Sequence, residues 1–241
     1  MEILEKLIKS VPPIHVLEVI IGIHSTLVKT DDSCGIASTI KYACPHENIR
    51  NAGNLEQLNL RELAEYAMSD NLLEASIGMA AINCAFSSRI TEYKIINAKN
   101  IILEKGYNKT VGIIGHFPFL EKQRDQYKNC YIFEKQPQEG DFLESDIAEF
   151  LPKVDVAAIT ATSLTNHTFE GICEHLPINS FNIILGPSTP LSPILFNFGI
   201  DAISGSIVDD YELVKKFVLQ ATPTRNLQGI IMATIFKEDY S

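Results

Sequence analysis

The sequence predicts an α/β protein, in which a small α+β domain precedes a larger domain built on a mostly parallel sheet. In roughly the first 90 residues, strand patterns come before helix patterns, an order typical of α+β domains. From about residue 97, short apolar runs alternate with helical segments, which indicates a parallel sheet covered on both faces. We place the two domains at 1–92 and 93–241.

Composition limits the classes of partner. Of the 241 residues, 46% are apolar, which is enough to bury a substantial core. The net charge of −10 argues against a nucleic-acid partner or an acidic membrane, because both require a basic surface. The charge suits a protein that binds a cation or a small molecule.

The cysteines and the N-terminal residues predict a cytoplasmic protein. The five cysteines are an odd number with no C-x-x-C pair, as is typical of a reduced protein. The amphipathic N-terminal segment lacks the apolar region of a signal peptide. No apolar run approaches the roughly 18 residues of a membrane span, so we expect no membrane partner.

The first domain begins with a helix and a hairpin. Apolar residues recur with helical spacing over 1–10, and a Pro-Pro pair ends that helix because proline lacks the N–H donor. The β-branched segment 16–29 predicts one long strand or two short ones. A turn cluster at 30–33 leads into a returning strand at 35–40.

Two helices complete the first domain, at 59–68 and 71–86. The second carries apolar residues almost all round, so we expect it to be buried. Its small residues would let another backbone approach closely. A homodimer formed through this helix and the last strand is therefore one hypothesis for assembly.

The second domain alternates strands with helices. The predicted strands are 111–114, 130–133, 154–159, 181–185, 201–204 and 228–236. The predicted helices are 97–105, 118–128, 143–151, 166–176, 190–198 and 209–220.

Polar loops follow most of these strands, at the point where each strand ends. Ligands of open α/β sheets bind beyond the carboxyl ends of the strands, so we predict a ligand site here, in the cleft between the domains. The loops contain no lysine or arginine, except after strand 130–133, where charged residues follow. The predicted ligand-binding residues of the loops are Gly115, His116, Thr160, Thr162, Ser163, Asn166, His167, Gly186, Pro187, Ser188 and Thr189.

Several of these loops also start predicted helices. The pairs 117–118 and 189–190 match an N-cap followed by proline at the first helical position, and Thr165 or Asn166 can cap the next helix. Each hydroxyl is therefore explained equally well as a helix cap. Helix N-termini carry partial positive charge, so their convergence favours an anionic or carbonyl-rich ligand.

Two groups of residues are candidate metal ligands. His116 and His167 end strands, where each has the alternative of an ordinary hydrogen-bonded role. Together they predict a site for a divalent or heavy metal ion, or an acid and a base that act near neutral pH. Cys34, Cys44 and His46 form a second candidate cluster, but their spacing matches no zinc pattern.

Several motifs of known enzymes are absent from the sequence. It has no G-x-x-x-x-G-K-[ST], no G-x-S-x-G and no H-E-x-x-H. The segment from Gly112 to Gly115 differs from G-x-G-x-x-G, so we do not expect an ordinary dinucleotide site.

A family resemblance rests on five segments that together span nearly the whole chain. They are 34–39 (CGIAST), 73–83 (LEASIGMAAIN), 111–118 (VGIIGHFP), 159–168 (ITATSLTNHT) and 185–190 (LGPSTP). In these segments the chain resembles a bacterial and archaeal family of unknown function that is described as a heavy-metal-chelation family. The resemblance implies an enolase-N-terminal-like domain fused to a Rossmann-like, doubly wound domain. It adds Gly35 and Asn83 to the ligand-binding residues, facing the strand-end loops across the cleft.

Two hypotheses of function follow. In the first, the cleft binds a metal ion or a metal-chelating or anionic small molecule, with His116 and His167 as metal ligands. In the alternative, the protein is an enzyme that acts on a pterin-, flavin- or tetrapyrrole-like molecule, with a histidine as general acid or base. No motif in the sequence specifies a reaction.

Overall fold

Two β-sheets organise the protein, whose computed structural model describes residues 1–40 and 48–240. The strands are β1 (Glu18–Ile21), β2 (Ser25–Lys29), β3 (Cys34–Ser38), β4 (Thr110–Ile114), β5 (Asn129–Glu134), β6 (Phe142–Leu143), β7 (Val156–Thr160), β8 (Phe181–Leu185), β9 (Ala202–Val208) and β10 (Ile230–Phe236). The α-helices are α1 (Glu2–Lys9), α2 (Leu60–Ala64), α3 (Leu72–Ser87), α4 (Ala98–Gly106), α5 (Pro118–Glu121), α6 (Ile147–Phe150), α7 (Thr162–Thr165), α8 (Phe169–Cys173) and α9 (Tyr211–Leu219). Cys44 and His46 of the second candidate cluster lie outside the described residues.

The small sheet is antiparallel, with the strand order β1-β2-β3. Segment 16–29 forms two short strands, which settles the alternative that the sequence leaves open. The turn after β2 closes through the Thr30 N–H, which donates to the Ser33 carbonyl at 2.9 Å. The hairpin predicted around residues 30–33 is therefore confirmed.

The large sheet has seven strands in the order β10-β9-β8-β7-β4-β5-β6. All pairs are parallel except β9 with β10, which confirms the predicted mostly parallel sheet. The chain runs outward from β4 through β5 to β6, then returns to β7 on the other side of β4 and runs outward to β9. This is the doubly wound strand order, and its switch point lies between β4 and β7.

Several helices of the second half are shorter than the sequence predicts. Segment 166–176 contains only α8, and segment 143–151 contains only α6 with 3-10 turns on either side. Where one helix is predicted over 190–198, the chain forms a 3-10 helix, Pro193–Phe198, because its prolines remove backbone donors. No helix in the described parts of the chain has the length and apolarity needed to cross a membrane.

Helix α3 is buried on every side, as its apolar pattern predicts, and contacts β2, β3, α2 and α7. One continuous core joins it to the small sheet and to one face of the large sheet. This core includes Val28, Ala37, Ile77, Ile82, Ile114, Ile159, Ile184 and Ile203. Since α3 is buried within the chain itself, it cannot supply the surface of the hypothetical homodimer.

The other faces of both sheets are covered by helices of the second half. Ile101 and Ile102 of α4 pack against the large sheet, in a core that also contains Val111 and Val156. Helix α9 covers the outer face of the small sheet, where Val214 lies in one apolar cluster with strand residues.

An ion pair reinforces the contact between α9 and β1. Glu18 accepts hydrogen bonds from Lys215 Nζ at 2.7 Å and from the Tyr211 hydroxyl. The hydrogen bonds from Lys215 and Tyr211 hold the pKa of Glu18 below its ordinary value. The first and second halves of the chain are thus joined by polar contacts as well as by the shared core.

Glycine allows the close approach of β3 to α3. A Cβ atom at Gly35 would lie 2.0 Å from the Ala80 carbonyl oxygen and 2.2 Å from the Cys84 nitrogen. A Cβ at Gly171, in α8, would meet no atom within 4 Å.

We therefore expect Gly35→Ala to destabilise the fold by about 3 kcal/mol, since backbone atoms of two packed elements must separate. Gly171→Ala is the matched control and should be neutral or stabilising by up to about 1 kcal/mol, because alanine favours helix. Urea unfolding of both variants measures these effects. Equal stability of the two variants would contradict this account of the β3–α3 contact.

Glu74, at the start of α3, is 4% exposed and is held by three donors. The Arg50 N–H lies at 2.6 Å, the Arg50 Nε at 2.8 Å and the Ser69 hydroxyl at 2.7 Å. Burial alone would raise the pKa of Glu74, but these hydrogen bonds outweigh it and hold the pKa below the ordinary value of 4.5.

A carboxyl group with a depressed pKa in the folded state stabilises the protein above its unfolded pKa and loses that effect as the pH falls through the folded value. We expect Glu74→Gln to lower the free energy of unfolding at pH 7 by about 1.5–3 kcal/mol. The deficit should shrink below about pH 4, since the wild-type carboxyl is then increasingly protonated. Urea unfolding from pH 3 to pH 7 tests this, and a deficit independent of pH would refute it.

Candidate functional site

A cavity of about 460 Å³ opens at the switch point of the large sheet. Its polar lining consists of His116, Glu134, Lys135, Gln136, Gln138, Glu144, Thr160, Thr162, Ser163, Asn166 and Thr168. Its apolar lining consists of Ile40, Leu72, Ile114, Phe133 and Ile147, together with Gly115. The size and the mixed lining are those of a site for a small organic molecule.

Gly115 brings the ends of three strands together. Its φ of +96° favours glycine, and a Cβ there would lie 2.8 Å from Cβ of Thr160. Its N–H donates to the Phe133 carbonyl at 3.0 Å. The ends of β4, β5 and β7 therefore lie side by side, and His116 is placed at the cavity wall.

The hydroxyl groups after β7 mostly hold the local backbone. Thr160 and Thr162 share a hydrogen bond of 2.9 Å between their hydroxyls, and the Ser163 hydroxyl donates to the Thr160 carbonyl at 2.6 Å. Asn166 Oδ1 accepts from the Thr168 hydroxyl at 2.8 Å. These bonds fix the polar wall of the cavity before any ligand binds.

Charged residues after β5 form the opposite wall, and sequence reasoning missed them. Lys135 Nζ lies 3.8 Å from Glu144 Oε2, and Glu134 lies at the end of β5. In the sequence this loop is the exception, because it alone among the polar loops carries a lysine. Doubly wound strand order places β5 beside β4, and this rule could have predicted that the loop after β5 lines the cavity.

His167 does not line this cavity, so the structure does not bring it together with His116, its predicted partner at one metal site. Its Nε2 lies 2.8 Å from the Ala67 carbonyl, and it lines a separate small cavity beside α1. The cause is local: α7 ends in a Schellman motif, in which the Thr168 N–H donates to the Ser163 carbonyl at 2.9 Å. His167, with a φ of 65°, is the left-handed residue of that motif and points toward the first half of the chain.

The loop after β8 is closed by the first half of the chain and does not line the cavity. Ser188 and Thr189 are 1% and 2% exposed, and Ser188 Oγ accepts the Ser38 N–H at 2.9 Å. Asn83 Nδ2 donates to the carbonyls of Ile36 at 2.7 Å and Pro187 at 3.2 Å. The structure thus places Asn83, Pro187, Ser188 and Thr189 in a buried contact between the halves. Gly35 packs on α3, and Gly186, with a φ of 124°, turns the chain after β8.

The structure does not show the expected convergence of three helix N-termini at this edge of the sheet. Pro118 does occupy the first position of α5, as its sequence predicts, but α5 and α7 have only four residues each. Thr189-Pro190 starts no helix, because Ser192 caps the following 3-10 helix and Pro193 begins it. Helices this short have small dipoles, so α5 and α7 add little positive potential at the cavity.

The described residues do not form a ready-made metal site. Within residues 1–40 and 48–240, no three His, Cys, Asp or Glu side chains come together in a way that could hold an ion. Burial raises the pKa of Cys84, and burial with Glu170 and Glu174 nearby raises that of Cys173 to about 12, so both thiols stay protonated at neutral pH. Within these ranges the protein therefore supplies no complete set of ligands for a metal ion.

The fold and the cavity define a two-part α/β protein, with a doubly wound sheet whose switch point carries a cavity of mixed polar and apolar lining. Residues 97–237 match the family model DUF364 and residues 4–86 match the model DUF4213, both described as "Putative heavy-metal chelation". The chain belongs to the DUF364 family, which confirms the resemblance seen in the sequence. The boundary at residues 92 and 93 stays a prediction.

Two solved structures share the fold over nearly their whole length, and a third protein is similar in sequence. A crystal structure of a DUF364 protein of unknown function from Desulfitobacterium hafniense is 27% identical, with a TM-score of 0.86 and 98% of each chain covered. A second, from Pyrococcus horikoshii, is 21% identical, with a TM-score of 0.83 over 97% of this chain and 98% of that one. An uncharacterized protein of Methanocaldococcus jannaschii is 27% identical over 206 residues, covering 81% of this chain and 78% of its own.

The geometry of His167 predicts a structural role that two substitutions can separate. His167→Ala should lower the free energy of unfolding by about 1 kcal/mol, because it loses one hydrogen bond and keeps a Cβ in the left-handed region, as the histidine does. His167→Gly should lose the same hydrogen bond but relieve the left-handed strain of about 1 kcal/mol, so its stability should lie close to that of the wild type. Urea unfolding compares them, and a glycine variant less stable than the alanine variant would be inconsistent with the Schellman motif.

Proposed function

We propose that the cavity at the switch point binds a small organic molecule that carries metal-chelating groups, and that any metal arrives as the cargo of this molecule. The observation that supports this most directly is the mixed lining of a cavity of about 460 Å³. Its apolar side chains are called the apolar floor below, and its polar side chains the polar wall. The family description of heavy-metal chelation is consistent with it.

The apolar floor favours an organic ligand over a bare ion. Ile114, Phe133 and Ile147 line one side of the cavity, with Leu72 from α3 opposite the sheet. A hydrated ion gains nothing from contact with such side chains, whereas a carbon framework gains roughly 25 cal/mol for each Å² of apolar surface that it buries. The ligand framework should therefore lie against these residues.

The polar wall can bind the oxygen or nitrogen atoms of a chelator. His116 is the only histidine of the described lining, so it can complete the coordination of a partly chelated metal without supplying a full ligand set. Thr162 and Asn166 offer a hydroxyl and an amide to carboxylate or carbonyl oxygens. These residues are proposed as ligand-binding, with His116 as the metal-contacting residue.

A catalytic function in the same cavity is the second candidate. It is favoured by the presence of His116 together with Glu134 and Glu144 in one lining, which supplies groups able to exchange protons. The substrate would be a pterin-, flavin- or tetrapyrrole-like molecule against the apolar floor. Turnover that is lost in His116→Ala and retained in His167→Gly would support this candidate.

Calorimetric titration with nickel(II) dipicolinate tests the proposed binding, since this planar chelate leaves coordination positions open. We expect the wild type to bind the chelate more tightly than nickel(II) alone or dipicolinate alone. His116→Ala should weaken binding by at least about tenfold, since loss of a group that merely orients a metal ligand already costs about tenfold to a hundredfold.

His167→Gly is the matched control, because its histidine lies outside the cavity, and it should bind the chelate as the wild type does. Each variant is first shown to be folded by circular dichroism. Equal affinity of the wild type and His116→Ala for the chelate would show that His116 does not contact the metal. Tighter binding of nickel(II) alone than of its chelate would reject an organic ligand as the carrier of the metal.

A further inference from the structure

Glu134 occupies a position in the sheet that has a specific chemical use. It is the last residue of β5, the strand beside β4, and it lines the cavity. It follows Gly115, the residue that ends β4 with a left-handed turn, by 19 positions. In doubly wound sheets that bind nucleosides, an acidic residue at the end of the second strand, about 20 residues after the glycine turn, accepts hydrogen bonds from ribose hydroxyls.

The carboxylate of Glu134 is available for such bonds. Its Oε2 accepts the Lys135 N–H at 3.0 Å, and in the described part of the chain no side chain pairs with Oε1. The nearby ammonium of Lys135 reaches instead to Glu144, at 3.8 Å. A carboxylate with free acceptor sites matches two hydroxyls on adjacent carbons, each of which can donate one hydrogen bond.

The same loops are unsuited to a phosphate group. Gly112 lies within β4, where a Cβ would be 3.0 Å from Val154, so it serves packing and forms no phosphate loop. Helix α5 has only four residues. In the described lining the one lysine is paired with Glu144, and two carboxylates repel an anion.

From this geometry we propose that Glu134 binds the vicinal diol of the ligand, in the form of the ribose of a ribonucleoside without phosphate groups. The inference rests on the part of the proposed function that places a small organic molecule in this cavity, and it names a chemical class for that molecule without requiring a bound metal. The base would lie against the apolar floor at Ile114 and Ile147, with Asn166 within reach of its polar edge. A polyol chain, such as the ribityl chain of riboflavin, is the other source of the same diol chemistry.

Calorimetric titration of the full chain with adenosine, guanosine, cytidine, uridine and riboflavin tests the proposal. We expect at least one ribonucleoside to bind, and its 2′-deoxy form to bind about tenfold to a hundredfold more weakly, because a charged acceptor loses its donor. The 5′-monophosphate of the same nucleoside should also bind more weakly.

Two variants test whether Glu134 causes the preference for the ribonucleoside over its 2′-deoxy form. In Glu134→Ala the ribo and deoxy forms should bind with equal affinity, whereas in Glu144→Gln, the matched carboxylate of the same cavity, the preference for the ribo form should persist. Binding of riboflavin alone, lost in Glu134→Ala, would support the diol and identify a polyol chain as its source.

The results also separate this inference from the proposed function. If the nickel(II) dipicolinate chelate binds but no nucleoside or riboflavin does, the proposed role of Glu134 is wrong, whereas the proposed binding of a chelate in the cavity is supported. A wild type that binds ribo and deoxy forms equally would overturn the proposed role of Glu134 as well. If neither chelate nor diol compounds bind, both proposals fail.

Discussion

The burial of α3 between the two sheets is the constraint on which the rest of the structure depends. Its small residues and the lack of a side chain at Gly35 bring the helix and the small sheet into backbone contact. The opposite side of the same helix lies in the core that covers one face of the large sheet. The two halves therefore share one hydrophobic core. How α3 and β3 lie against the large sheet also determines which loop at the strand ends is covered, as the contacts of the loop after β8 show.

This packing decides which strand ends can meet a ligand. The first half closes the loop after β8, where Asn83 and Ser188 make buried hydrogen bonds across the two halves. It leaves the ends of β4, β5 and β7 open, and they surround the cavity with Leu72 of α3 above them. A general rule for parallel sheets identifies the edge of the sheet where ligands are expected. The packing of the first half then determines which part of that edge stays open.

The fold could be predicted from the sequence more completely than the site. Strand–helix alternation and the all-round apolar pattern of α3 are local signals, and they led to the correct sheet and the correct buried helix. The site could be predicted less fully where side-chain direction depends on the backbone: His167 follows a helix in a left-handed conformation and lines a separate cavity. The sequence marks the loop after strand 130–133 only as the exception that carries charged residues, and the order of strands in space is what brings Glu134 next to Gly115.

The shared core also has an evolutionary consequence. Residues 4–86 and 97–237 match two separate family models, yet residues of the first region cover Ile114, Ile159 and Ile184 of the second. A gene that lost the first region would encode a sheet with one bare apolar face, and such a product would aggregate. We therefore expect natural selection to keep the two regions together in one chain.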